Sequence, residues 1–231
     1  MIARYKTEKR IDMITFEEIK KDKDVNVYIK AADSSLNALG YSEHSFAHVT
    51  TVALRAAEVL SWLGYDGRMA ELAKIAGYLH DIGNMVNRVD HSQSGALIAF
   101  RLLDKYGMDT AEIADIVTAI GNHDEGTGIP VSPLAAALIL ADKSDVRRTR
   151  VRTDAYEPSD IHDRVNYSAI ESDLILSDDK KYVTLKLKVD TEISSIMDYF
   201  EIFLVRMKLC RSAAEKLGVT FKLSINGQHF I

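Results

Sequence analysis

Gly77-Tyr78-Leu79-His80-Asp81-Ile82-Gly83-Asn84 is the stretch on which the reading of this chain turns. An apolar helical run, with Leu72, Ile75, Ala76 and Leu79 at helical spacing, ends in a histidine followed directly by an aspartate. Adjacent helical residues lie about 100° apart around the axis, because a turn takes 3.6 residues. Both side chains can therefore reach one point just beyond the helix end, while Gly83 gives the backbone a permissive exit. A neutral imidazole nitrogen and a carboxylate meeting at one point are a pair of metal ligands. Taken alone, such a pair is usually a capping or hydrogen-bonding feature; the decision rests on what else in the chain converges there.

Working outward, the pattern from Phe16 to Asp145 is helical almost throughout. It predicts helices over Val25–Leu39 stopped by Gly40, Ser45–Leu63 stopped by Gly64, Arg68–His80, and His91–Tyr106 stopped by Gly107. Thr110–Asn122 follows, then a Gly-rich loop from Asp124 to Pro130, then Pro133–Asp145. After Val151 the character changes. Tyr182–Val189 alternates strictly, Val183, Leu185, Leu187 and Val189 sharing one face, which is the period of a half-buried strand. Ala169–Leu176 reads as its hairpin partner, Glu192–Leu217 as an amphipathic helix and Val219–Ile225 as a further strand. The expected fold is mainly α: a helical bundle over residues 1–152, and a small C-terminal β-β-α-β subdomain over residues 153–231, its boundary between Arg152 and Ser159.

The 231 residues suffice for a sizeable core, and 47% hydrophobic with 27% charged residues is ordinary for a soluble globular protein. A net charge of −5 argues against extended nucleic-acid binding and against anionic membranes. Cys210 is the single cysteine, so no intrachain disulfide forms. Met1–Arg10 is polar and lacks a signal-peptide core, and no apolar run reaches the roughly 20 residues of a membrane span. A cytoplasmic location is expected.

The chain's seven histidines can be weighed singly. His44 and His48 share one face of a helix entry, His91 opens a helix, and His123 closes one. Asp142 follows the apolar run Ala135–Ala141, where an unpaired carboxylate would be costly. The ordered set, from Tyr41-Ser42-Glu43-His44 to His48, then Ala76–Gly83, then Ile139-Leu140-Ala141-Asp142-Lys143, resembles the HD superfamily of metal-dependent phosphohydrolases. His91-Ser92-Gln93-Ser94-Gly95-Ala96 and Ala119-Ile120-Gly121-Asn122-His123 look like the extra histidines of its two-metal members. The likeness covers roughly Leu39 to Arg150.

That resemblance implies an HD-type helical bundle in which His48, His80, Asp81 and Asp142 hold one metal. His91 and His123 hold a second, with Asp81 bridging. Nitrogen and oxygen ligands without thiolates suit two divalent ions of Mn, Fe, Zn or Co. The implied reaction is attack of a metal-bridging hydroxide on phosphorus. The partner would be a small-molecule phosphate ester, a nucleotide among the candidates; a homodimer is allowed. One departure stands out: many two-metal members place lysine where this chain has Asn84, which can bond a phosphate oxygen but carries no charge.

Lys143, Arg147, Arg148, Arg150 and Arg152 form a local cationic run in an acidic chain. They can grip phosphate, with Lys143 the best placed, or simply complement a helix C-terminus. His44 can serve as a proton shuttle or substrate contact, or stand exposed at the helix entry. His162-Asp163-Arg164 reads as a salt-bridged junction. The expected catalytic residues are thus Asp81, Lys143 and His44, with Asn84, Lys143, Arg147 and Arg148 on the substrate. An HD-type di-iron oxygenase and an inactive metal-binding regulatory domain remain as alternatives. The cyclic-di-GMP type is disfavoured, because the Gly-Tyr-Pro motif is absent.

Overall fold

The structure, a computed structural model, describes residues 13–152 and 156–231. The polar start Met1–Arg10 and residues 153–155 of the expected boundary lie outside the described residues. The helical body comprises α1 (Phe16–Lys21), α2 (Lys23–Ala38), α3 (Phe46–Leu63), α4 (Gly67–Leu79), α5 (His91–Tyr106), α6 (Thr110–Gly121) and α7 (Pro133–Lys143). Local chemistry sets their ends. Asp22, Ser45, Asp66, Asp109 and Ser132 each accept backbone N–H groups at a helix start. Gly64 and Gly107 close α3 and α5 in the left-handed conformation. The predicted bounds differ from these by one or two residues.

Helix α7 is the centre of the body: every residue from Leu134 to Lys143 is buried, and α3, α4, α6 and the later helix Ile196–Lys216 pack around it. That explains why its sequence is apolar on all sides and shows no amphipathic stripe. Two glycines set the spacing at the site. A Cβ on Gly77 would lie 2.7 Å from the backbone N and Cα of Ala53, so α3 and α4 cross almost backbone to backbone. A Cβ on Gly83 would strike the backbone of His91 and Gly95, so the 3-10 turn Ile82–Met85 lies directly against the start of α5. The first contact brings His48 beside His80, and the second brings His91 beside Asp81.

The tail runs α8 (Ile161–Ser168), β1 (Ala169–Leu176), β2 (Tyr182–Val189), α9 (Ile196–Lys216), β3 (Thr220–Ile225) and β4 (Gln228–His229). Strands β1 and β2 form the expected hairpin, β2 pairs parallel with β3 across the α9 crossover, and the sheet order is β1-β2-β3-β4. Three details depart from the sequence expectation. The sheet has a fourth, two-residue strand, turned at Asn226-Gly227, both with positive φ, and too short to show alternation. Helix α8 was not anticipated, because it is short and polar. Helix α9 starts at Ile196 and not Glu192, because Ser195 and Asp198 form a capping box.

The tail is fastened to the body behind α7. Arg55 donates to the carbonyls of Ser144 and Ser172, the Ser172 hydroxyl donates to Ser144 O, and Trp62 Nε1 donates to Ser177 O at 2.9 Å. One hydrophobic cluster runs from α1 to β3, Cys210 included. Among the described residues, no helix is long and apolar enough to cross a membrane.

Candidate metal centre

Four helix ends deliver the site. His48 comes from the first turn of α3, His80-Asp81 from the end of α4, His91 from the first residue of α5, and Asp142 from the last turn of α7. His123 follows the end of α6. His48, His80 and Asp142 offer one set of converging ligand atoms, and His80, Asp81 and His123 a second. The two oxygens of Asp81 face different neighbours. Oδ2 lies 3.4 Å from His48 Nε2 and 3.2 Å from His80 Nε2, while Oδ1 lies 3.5 Å from His91 Nε2 and 3.9 Å from His123 Nε2. Asp142 Oδ1 closes the first group, 3.4 Å from His48 Nε2 and 3.6 Å from His80 Nε2. In the second, His91 Nε2 and His123 Nε2 are 3.3 Å apart.

The backs of the imidazoles explain why these faces point inward. His48 Nδ1 lies 2.8 Å from Asp145 Oδ2. His80, His91 and His123 turn Nδ1 to the carbonyls of Gly77, Arg88 and Ile120 at 2.7, 3.1 and 2.6 Å. An acceptor at Nδ1 places the proton there and leaves the Nε2 lone pair toward the centre. Among the described residues, His48 Nε2 and His80 Nε2 are buried with no hydrogen-bond partner. Two ligand atoms held about 2.1 Å from one ion lie roughly 3.0–3.4 Å apart. The first group, at 3.2–3.6 Å, comes within about 0.2 Å of that spacing, and orphaned acceptor nitrogens beside two carboxylates fit a divalent cation.

The electrostatics agree. Burial opposes the charges of Asp81 and Asp142, yet for Asp81 the imidazoles of His80 and His44, and for Asp142 the Lys143 ammonium, hold the carboxyls well below the usual range. Burial also opposes a charged His80, but Asp81 and Asp142 raise it to about 10, so the two carboxylates favour positive charge at its Nε2, where a proton and a cation compete for one lone pair. Farther from Asp142, burial wins: it lowers His91, and with the charges of His80 and Lys143 it pushes His123 down to about 3. The carboxylates thus concentrate their attraction for positive charge between His48 and His80.

An inner recess of about 30 Å³ over Asp81, His91, His123, Asp142 and Lys143 opens into an outer cavity of about 750 Å³. His44, Arg88, Glu125, Arg150 and Arg206 line both. His44 Nδ1 is held by Ser42 O at 2.7 Å, and its Nε2 stands 4.0 Å from Asp81 Oδ2. Lys143 Nζ lies 2.6 Å from Asp142 Oδ2 and 3.4 Å from Glu125 Oε2. Burial weakens the Lys143 charge, but Asp142 and Glu125 raise its pKa overall.

The other expected substrate contacts sit elsewhere. Asn84 is fully buried and donates to the backbone O and Oδ1 of Asp81, at 2.9 and 3.0 Å, so it orients the carboxylate and does not line the cavity. Arg147 pairs with Asp145 through Nε at 2.6 Å. Arg148 donates to Tyr167 O and stacks over the Tyr167 ring. Arg147 does not share a helix face with Lys143, because α7 ends at Lys143 and Ser144 caps it. Within the run, Arg150 turns to the cavity and Arg152 pairs with Asp33. His162 lines the outer cavity, while Arg164 pairs with Asp198 at 3.7 Å.

Sequence reasoning passed over Asp145, Glu125, Arg88 and Arg206. Asp145 had a signal, a second carboxylate standing three residues after Asp142. Glu125 lies two residues after His123 in the Gly-rich loop. Arg206 had none, since its helix is remote in sequence.

Residues 41–147 match the HD domain family model. An uncharacterized protein of Methanocaldococcus jannaschii is 27% identical over 206 residues, 79% of this chain and 78% of that protein. Ribonuclease Y of Opitutus terrae is 31% identical over 115 residues, half of this chain but 20% of that protein. Ribonuclease Y of Bacillus subtilis is 33% identical over 119 residues, 51% of this chain and 21% of that protein. A crystal structure of a predicted HD superfamily hydrolase from an uncultured Thermotogales bacterium aligns at 24% identity and a TM-score of 0.44, covering 60% of this chain and 84% of that one.

Proposed function

Residues 41–147 of this chain are an HD domain, and from that premise we propose that the protein is a metal-dependent phosphohydrolase with two divalent ions, acting on a small phosphate ester such as a nucleotide. The observation that carries the reading is the split of Asp81, one oxygen toward His48 and His80 and the other toward His91 and His123. One carboxylate addressing two imidazole groups is what a bridging ligand requires.

In this reading His48, His80, Asp81 and Asp142 hold one ion, and Asp81, His91 and His123 hold the other. Bound divalent ions supply a nucleophilic water at neutral pH and neutralise charge on phosphoryl oxygens. The chain's own groups do the rest. Asn84 steadies the Asp81 carboxylate through one bond donated to Oδ1, and a second bond goes to the Asp81 backbone O. Lys143, kept charged by Asp142 and Glu125, provides an ammonium beside the recess for a phosphoryl oxygen. His44, held through Nδ1 by Ser42 O, presents Nε2 toward the mouth and can pass a proton between solvent and a leaving oxygen.

The matched relatives named ribonuclease Y suggest an RNA phosphodiester. A cavity of about 750 Å³ is the size of a small-ligand site, and the net charge of −5 disfavours a long polyanion, so a small ester is preferred. The test is hydrolysis of a phosphomonoester and a phosphodiester by protein loaded with manganese, iron, zinc or cobalt, with and without chelator, in air and under anaerobic conditions. Chelator-sensitive phosphate release independent of oxygen supports the reading. Turnover that needs oxygen would replace it with an oxygenase.

A further inference from the structure

The cations of the cavity outnumber what one phosphoryl group needs. Three guanidinium groups from three separate elements meet between the recess and the outer cavity: Arg88 after the 3-10 turn, Arg150 after α7, and Arg206 in the middle of α9. Each is braced through part of its nitrogen set. Arg150 donates from Nε to Glu43 O at 2.9 Å and from Nη1 to Asp145 O at 2.7 Å. Arg206 donates from Nε to Glu125 Oε1 at 2.7 Å and lies over the Phe203 ring. Arg88 lies over the Tyr41 ring, its Nη1 only 3.4 Å from Asn84 Oδ1. Among the described residues, Nη2 of Arg150 and both terminal nitrogens of Arg206 find no acceptor.

The local anions are already committed. Glu125 lies between Lys143 and Arg206. Asp145 Oδ2, 3.9 Å from Arg150 Nη1, is bonded to His48 and Arg147. Arg150 is nonetheless buried, with 8% exposure, and a buried guanidinium with spare donors favours an anion in front of it. Arg150 and Arg206 also lie outside the matched residues 41–147, and Arg206 comes from the tail helix α9.

We propose that Arg150 and Arg206, with Arg88 at the rim, bind a second anionic group of the substrate. The substrate class is then a phosphate ester that carries a further phosphate or carboxylate within a few bonds of the ester cleaved. This inference rests on the phosphohydrolase reading and gives the tail helix α9 a direct part in specificity. The planar fork of arginine suits two oxygens of such a group, while Lys143 remains with the phosphoryl group in the recess.

Calorimetric titration of metal-loaded protein with methylphosphonate, phosphonoacetate and methylenediphosphonate tests it, metal content being measured on the recovered protein. The two probes with a second anionic group should bind on the order of tenfold more tightly than methylphosphonate. A preference for both probes assigns a general anion site, and one confined to methylenediphosphonate assigns a phosphate. Arg206→Ala and Arg150→Ala should bring the probes to within about twofold of one another with metal content unchanged, and Arg206→Lys should keep part of the preference. Equal affinities in wild-type protein overturn the inference while methylphosphonate binding keeps the phosphohydrolase reading; that comparison decides even if a variant fails to fold. A preference that survives both alanine variants also overturns it. No binding of any probe overturns both readings.

Discussion

Replacing Asp145 by asparagine changes one atom's chemistry behind the first ligand and leaves every ligand in place. Asp145 is fully buried and accepts from His48 Nδ1 at 2.8 Å and from Arg147 Nε at 2.6 Å. An amide can present its NH₂ to His48, which would move the imidazole proton to Nε2 and remove the lone pair aimed at the metal. Loss of such a supporting acceptor costs metal affinity about 10- to 100-fold, or about 1.4–2.8 kcal/mol. The effect should be confined to the group around His48, because His91 and His123 lean on the backbone carbonyls of Arg88 and Ile120. Competition titration against a chelator of known affinity resolves the two ions. Asp145→Asn should weaken one step by that factor and leave the other within about threefold. Equal weakening of both steps, or of neither, would refute the role assigned to Asp145.

Other substitutions probe the remaining links. Gly83→Ala should force the turn away from the His91 and Gly95 backbone, lose the second ion and destabilise the fold by about 1–3 kcal/mol, read by metal analysis and chemical denaturation. Lys143→Ala should lower the specificity constant for a phosphate ester by about ten- to a hundredfold at unchanged metal content, while Arg147→Ala should change it less than about twofold. The pH dependence has a definite sign at Glu125: burial raises its carboxyl, but Lys143 and Arg206 outweigh that and hold it far below the ordinary 4.5. Its contribution to stability is therefore complete above that value and lost as the pH falls below it. Denaturation midpoints of wild-type protein should drop more steeply than those of Glu125→Gln between pH 5 and pH 3, taken as rough bounds of that window.

Much of the fold was legible because helix stops and strand alternation are local signals. Gly64 and Gly107 ended helices where left-handed backbone requires glycine, and β1 and β2 were readable to the residue from alternation and a turn. The two-residue β4 and the polar α8 offered too few positions for a period to appear. At the site, the order of His48, His80, Asp81, His91, His123 and Asp142 carries the family resemblance, and the structure brings the six side chains together. Which groups lie behind and beside them is a matter of packing. Asn84 faces Asp81 because the turn folds back, and Arg147 leaves the site because Ser144 caps α7. Arg206 reaches it only through the packing of α9 on α7.

If Asp81 serves two metal ions at once, the number of ions held per chain must differ between wild-type and Asp81→Ala protein. Mass-resolved metal analysis after loading and dialysis should find about two ions per chain in the wild type. In Asp81→Ala both should be weakened, because each group of imidazoles loses a carboxylate oxygen. One ion per chain in saturated wild-type protein, or two retained in Asp81→Ala, would contradict the account.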